Sequence, residues 1–175
     1  MSATPSPDYL AGYDPALVGQ VQQLIAENRL AEILLRKYPR AHDVRTGKAL
    51  YDYVNEIKDS HLGKTGPLSR VAFDSTMQIL RQTLGTHTRI ARVQGNKLKT
   101  KREIHVAALF KNVPPEFLRM IVVHELAHLK EADHGKAFYQ LCLHMEPDYH
   151  QLEFDLRVYL CYLDAAGTPL WVPAS

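Results

Sequence analysis

Apolar residues recur at helical spacing in the first third of the chain, alternate in the middle, and return to helical spacing towards the end. Residues 1–12 read as a mobile tail. Asp14-Pro15 then reads as an N-cap followed by a first helical residue. The helix it opens carries Leu17, Val21, Leu24, Ile25 and Ile33, runs to about Tyr38 and is stopped by Pro39. Asp43 is placed to cap a second helix whose stripe is Leu50, Tyr53, Val54 and Ile57. Asp59 to Pro67, with Gly63, Gly66 and a proline, reads as a loop.

The period changes after Pro67. Arg70 to Leu84 holds short apolar pieces suited to strands, although Ser75 to Gln82 also fits a helix, and His87 to Val93 alternates weakly. Gln94-Gly95-Asn96-Lys97 is a turn signal. Beyond it Leu98, Ile104, Val106 and Ala108 share one parity, while Lys97, Lys99, Lys101, Glu103 and His105 share the other. That is a hairpin with one apolar and one charged face. Asn112-Val113-Pro114-Pro115 opens a third helix, ending near Glu131, with Leu118, Val122, Leu126 and Leu129 on its core side. Asp133 is placed to cap the next helix, which ends before Pro147, and a last helix spans about Tyr149 to Leu163. The expected architecture is α+β: a compact single domain over 13–165 with N-terminal helices, a small, mostly antiparallel sheet with its hairpin, a helix carrying the pattern HExxH, and C-terminal helices. Residues 166–175 read as a second tail.

Composition narrows the class. In 175 residues, 46% apolar and 23% charged, there is enough chain for one domain with a sizeable core. The chain shows no apolar run long enough for a membrane span, and its first ten residues lack a signal-peptide pattern. Cys142 and Cys161 are too few for a disulfide framework and read as reduced core thiols, so the expected location is the cytoplasm. Net charge is only +2, but the six basic residues Arg89, Arg92, Lys97, Lys99, Lys101 and Arg102 fall in one stretch without an acid. Such a stretch is either a solvated strand face or a holder of polyanions, a nucleotide's phosphates or nucleic acid. It has no aromatic residue for base stacking.

The chemistry concentrates in His124-Glu125-Leu126-Ala127-His128. Four residues is just over one helical turn, so both imidazoles project from one face and can share a metal. Glu125 lies about 100° further round, badly placed as a third ligand but able to reach a metal-bound water. A zinc would lower that water's pKa towards ~7 and the carboxylate would take its proton. A catalytic zinc needs a third protein ligand. His134 follows His128 by six residues, the spacing of the extended metzincin pattern HExxHxxGxxH, although Glu131 stands where that pattern has glycine. Glu153 and Asp155 on the last helix are alternative third ligands.

Other residues carry weaker signals. His144, Tyr149 and His150 are candidates to polarise a substrate oxygen, and His105 to line the cleft from the hairpin's charged face. Met145 fits a place beneath the metal or, more simply, the core. His42, His61 and His87 carry no signal. Gly63-Lys64-Thr65 looks like the end of a P-loop, but Lys58 stands where the loop's first glycine is required.

Three segments together resemble a known family: LAEILLRKYPRAHD, RIARVQGNKLKTKREIHVAALFKNVPPEF and RMIVVHELAHLKEADHGKAFYQLCLHMEPDYHQLEFDLRVYL. They are similar to the bacterial YgjP-like metallopeptidase proteins of the DUF45 group, over about Tyr9 to Leu163. Wider kin, the SprT-like and WLM proteases, share HExxH, a downstream His and an aromatic residue, here His134 and Phe138. The resemblance implies a zincin-like fold, a small sheet beside the active-site helix, one Zn2+ per chain on His124, His128 and His134, and Glu125 as base. It implies two activities, since the family is classed with metallopeptidases while members are also described as UTP pyrophosphatases that release diphosphate.

The leading expectation is a zinc-dependent hydrolase of metallopeptidase type, in which Glu125 activates zinc-bound water and peptide lies along the strand near Glu103 to Ala107. The alternative is a nucleoside triphosphate (UTP) pyrophosphatase releasing UMP and diphosphate, with Lys97, Lys99, Lys101 and Arg102 on the phosphates. A lesser one is a DNA-associated, SprT-like protein. Peptide or nucleotide is thus the expected partner, nucleic acid a further one, and a membrane is not.

Overall fold

Asp14 Oδ1 accepts a hydrogen bond from the Ala16 N–H at 2.8 Å and Pro15 occupies the first helical position, so α1 (Pro15–Ala26) starts where the sequence signals it. The computed structural model describes residues 8–63, 65–75 and 102–172. The single helix expected to reach Tyr38 is two helices. Asn28 takes φ 56° after α1, and α2 (Leu30–Lys37) begins anew with Leu30 and Leu34 buried. Asparagine tolerates this left-handed backbone through its short polar side chain, and the reversal lets the Arg29 N–H bond the Leu24 carbonyl at 2.9 Å. Pro39 follows the end of α2, as expected.

Thr46, not Asp43, caps α3 (Gly47–His61): its Oγ1 accepts from the Ala49 N–H at 3.0 Å. Leu50, Val54 and Ile57 form its buried stripe, and the helix runs past Asp59 to His61. The strands β1 (Arg70–Asp74) and β2 (Glu103–Ala107) pair in parallel, Arg70 opposite Glu103 and Asp74 opposite Ala107. This corrects the mostly antiparallel sheet. Alternation correctly marks Ile104 and Val106 as inward and Glu103 and His105 as outward, but the same alternation serves either direction. A parallel pair requires a long crossover rather than a tight turn, and residues 75–102 supply it. Of the hairpin expected from His87 to Ala108, the part up to Lys101 lies outside the described residues, and the rest contains β2, paired in parallel with β1.

A 3-10 turn (Ala108–Asn112) leads to α4 (Pro115–Ala127), which starts at Pro114-Pro115 as expected. Phe117, Leu118, Met120 to Val123, Leu126 and Ala127 are all buried, so α4 is a central helix apolar nearly all round. It packs against α3, β2 and the two helices that follow. Those are α5 (Lys136–Met145) and α6 (Tyr149–Ala166). Asp133 does not cap α5, whose N-cap is Gly135 without a side-chain bond. Gly167, at φ 76°, ends α6 three residues beyond the expected Leu163.

Both supposed tails are partly docked. Leu10 is buried, and the Arg157 guanidinium donates to the Tyr9 carbonyl at 3.0 Å. Trp171 is buried against Phe117 and Tyr159, and its Nε1–H donates to the Tyr38 carbonyl at 2.6 Å. A lone tryptophan with its N–H satisfied is a core residue rather than a loose end. Among the described residues no helix is long and apolar enough to cross a membrane.

Candidate metal centre

Helix α4 brings His124 and His128 to its C-terminal end. The helix stops at Ala127, so His128 is its C-cap residue rather than an interior one. The chain then turns, with the Leu129 N–H on the Leu126 carbonyl (3.1 Å) and the Glu131 N–H on the Ala127 carbonyl (2.9 Å). This turn reverses the chain without a glycine at position 131. It returns His134, in the segment before α5, to the two histidines of the helix.

The three imidazoles converge through Nε2. His128 Nε2 is 3.2 Å from His124 Nε2 and 2.9 Å from His134 Nε2. Among the described residues these three offer ring nitrogens within 4.8 Å of one another. The other nitrogens of His124 and His128 are held. His128 Nδ1 donates to the Glu131 carbonyl at 3.0 Å, and His124 Nδ1 lies 2.7 Å from the Tyr149 hydroxyl. Phe138 lies against the group, its ring centroid 5.0, 4.5 and 4.9 Å from those of His124, His128 and His134. Exposure rises across the set, from buried His124 through half-buried His128 to exposed His134.

A carbonyl can only accept, so His128 carries its proton on Nδ1 and turns a lone pair towards the other rings. Three nitrogens this close repel unless a cation or shared proton lies among them. Ligands of a tetrahedral zinc at about 2.0–2.1 Å stand roughly 3.3 Å apart, close to the separations seen. Neutral imidazoles with their second nitrogen hydrogen-bonded are the usual form of a metal-binding histidine. The donor set therefore fits a divalent metal such as zinc, with one side open to solvent.

The other expected residues distribute as follows. Tyr149 does reach the centre, but behind His124, fully buried at the start of α6. Burial first, then the charge of Glu153, raises its phenol pKa well above the usual value. His150 is exposed, its ring 5.3 Å from that of Tyr139 and 5.7 Å from that of Tyr149. His144 sits on the last turn of α5 with its ring 5.7 Å from that of His61, outside the three-histidine group. His105 on β2 is flanked by Glu103 Oε2 at 3.0 Å and Asp74 Oδ2 at 3.6 Å. Arg102 precedes β2, its carbonyl accepting from the Ser69 N–H at 2.9 Å and its guanidinium close to Gly66. Lys97, Lys99 and Lys101 lie outside the described residues.

The alternative third ligands are committed elsewhere. Glu153 pairs with Arg157 at 3.3 Å, and Asp155 with Lys37 at 2.7 Å, with Tyr38 and Gln151 as further donors. Met145 is a core residue. Two supporting residues pack behind the centre, Phe138, which the resemblance marked as the downstream aromatic, and Cys142, read as a core thiol. Phe138 and Cys142, four apart on α5, share with Met145 the apolar face turned inward. Burial pushes the Cys142 thiol up to about 12, so it is a neutral group.

The family model for the YgjP-like, metallopeptidase domain matches residues 69–159. The chain belongs to the YgjP-like family of enzymes. Among curated relatives, a UTP pyrophosphatase from Escherichia coli (strain K12) is 54% identical over 155 residues, covering 89% of this chain and 93% of that protein. No solved structure matches. These findings correct the leading expectation. The group that could hold a metal comprises three histidines and does not include the Glu125 carboxylate, and the relative that spans the YgjP-like chain is a pyrophosphatase. The metallopeptidase reading with Glu125-activated water gives way to the nucleotide reading.

Proposed function

We propose that the chain is a nucleoside triphosphate pyrophosphatase acting on UTP and releasing UMP and diphosphate, with one zinc ion per chain held by His124, His128 and His134. The reading rests chiefly on the 54% identity, over 89% of the chain, to a UTP pyrophosphatase. The three converging Nε2 atoms support it, because zinc supplies Lewis-acid polarisation of a phosphoryl oxygen. His124 and His128 hold their side of the site in place through hydrogen bonds made before any ligand arrives. The exposed His134 leaves room for a charged substrate. Glu125, next to His124 on the last turn of α4, is the proposed catalytic carboxylate. Lys97, Lys99, Lys101 and Arg102 are the proposed phosphate holders, and His105 and His150 the proposed polar contacts at the edges. The same reading takes residues 13–165 as one catalytic unit and the cytoplasm as its place.

The test is direct. Zinc-loaded protein is incubated separately with UTP, CTP, ATP, GTP and an unfolded protein mixture, with Glu125→Gln as control. UMP and diphosphate should accumulate in equal amounts from UTP, faster than product from the other nucleotides. Cleavage of the protein mixture with no nucleotide turnover would overturn the proposal.

A further inference from the structure

Gly66 and Arg102 meet where the loop before β1 runs past the entry to β2. Gly66 takes φ 82°, a left-handed backbone that glycine adopts without steric cost. A Cβ added there would lie 2.9 Å from Arg102 Nη1, closer than non-bonded atoms of this kind approach. Both backbones at this meeting are tied down. The Gly66 carbonyl accepts from Lys58 Nζ at 3.1 Å, and Lys58 is itself buried on α3. The Arg102 carbonyl accepts from the Ser69 N–H at 2.9 Å and from Ser69 Oγ at 3.1 Å. The guanidinium is therefore the part with freedom to move, and the missing side chain of Gly66 leaves it room.

A second observation gives this seat a purpose. Arg29, Arg36, Arg119 and Arg157 each have a guanidinium nitrogen 2.9–3.4 Å from a glutamate oxygen. Among the described residues Arg102 has no such carboxylate, although it is half-buried. A guanidinium grips a phosphate through two parallel N–H donors, and it loses least on binding when its orientation is set beforehand. We propose that Gly66 is a positioning residue for the substrate's phosphates, its missing side chain seating the Arg102 guanidinium with N–H donors left for phosphate oxygens. Lys58 supports the seat by holding the Gly66 peptide from α3. The proposal rests on the reading of Arg102 as a phosphate holder and is independent of the metal centre.

The test measures the KM for UTP in zinc-loaded Arg102→Ala, Gly66→Ala, the two combined, and Gly63→Ala. Gly63 is the control: it too has a positive φ, 60°, but an added Cβ would meet nothing within 4 Å. Its substitution brings the backbone strain alone. Arg102→Ala should raise KM about tenfold, the scale of a lost charge-assisted hydrogen bond. Gly66→Ala should raise it by about three- to tenfold while zinc stays at one per chain, and Gly63→Ala by less than about twofold. The combined variant should match Arg102→Ala, because a residue that acts through another adds nothing once that other is gone. A Gly66→Ala KM within twofold of wild type overturns the proposal. So does a combined variant whose effect is the product of the two single ones, since Gly66 would then act by another route. If Gly66→Ala does not fold, asparagine at both glycines carries the same Cβ and tolerates the left-handed backbone. A spectroscopic readout separates the seat from the reading beneath it. The Arg102 Nε–H signal, assigned by its absence from Arg102→Ala, should shift in Gly66→Ala and stay in place in Gly63→Ala. An unshifted signal in Gly66→Ala overturns the seat itself. A shifted signal with an unchanged KM in Arg102→Ala would show that the seat exists but that Arg102 does not hold phosphate, and the proposal falls with that reading.

Discussion

His42 and His124 are both buried histidines, far apart in the chain, and they do opposite work. His42 spends both ring nitrogens on the backbone: Nδ1 accepts from the Val44 N–H at 3.0 Å, and Nε2–H donates to the Phe110 carbonyl at 2.6 Å. It fastens the chain after α2 to the turn before α4 and has nothing left for a ligand. His124 anchors Nδ1 on Tyr149 and directs Nε2 at two further imidazoles. Burial alone therefore does not mark a functional histidine. The mark is a ring with one nitrogen anchored and the other aimed at a point that other donors share.

This contrast can be broken most sharply by removing each ring. His124→Ala should lower zinc affinity by more than about 100-fold, since losing even an outer partner of a ligand costs 10–100-fold. His42→Gln should leave the bound zinc at one per chain. Elemental analysis after gel filtration reads both, and a zinc-replete His124→Ala would end the assignment. The second effect concerns Glu125, which shares the helix end with His124 yet is not among the converging donors. Glu125→Gln should retain zinc and lose roughly 10²–10³-fold in UTP turnover, the range for losing one electrostatic group of an active site. Turnover near the wild-type rate would exclude it from the site.

The contrast also shows what the chain's pattern reveals. The spacing of His124, His128 and His134 was legible because a helical turn and a short return are local geometry. The stripes of α3 and α4 and the start at Pro115 were legible for the same reason. The bonds of His42 were not, because they join residues far apart in the chain, and neither was the place of Tyr149 behind His124 rather than before a substrate. Asn28 ended a helix that the apolar spacing alone would have continued. Residue parity identified the inward side of β2 but carried no information on strand direction, which depends on the path of residues 75–102.

A third prediction contrasts the buried anchor with the basic stretch of the sequence. Lys99→Ala combined with Lys101→Ala should raise the KM for UTP about tenfold while zinc affinity stays unchanged, because these residues are proposed to hold phosphate and not metal. Added salt should weaken the wild type more than the double variant, since attraction between lysine and phosphate charges in water is screened over about 10 Å at 0.1 M. A KM that responds to neither change would remove the basic stretch from substrate binding.

The smallest effect comes from His42 itself and reads in stability rather than activity. Burial is the main cause of its lowered pKa, outweighing the hydrogen bond to Phe110 that acts the other way. The folded protein thus binds this proton less readily than the unfolded chain, whose histidines titrate near 6.5. The stabilisation is complete above about pH 6.5, falls as pH drops through that value, and levels off below the lowered folded pKa. Within that window the slope from one such group approaches about 1.4 kcal/mol per pH unit. His42→Gln keeps an amide donor and acceptor but cannot titrate. Chemical denaturation of metal-free protein between pH 7.5 and about pH 5, in the presence of a chelator, should show a flatter decline for the variant than for wild type. The three histidines of the metal centre are common to both proteins, so their own protonation cancels in the difference. Parallel declines would mean that His42 is protonated without loss in the folded state, and the division between structural and metal-binding histidines would then need another basis.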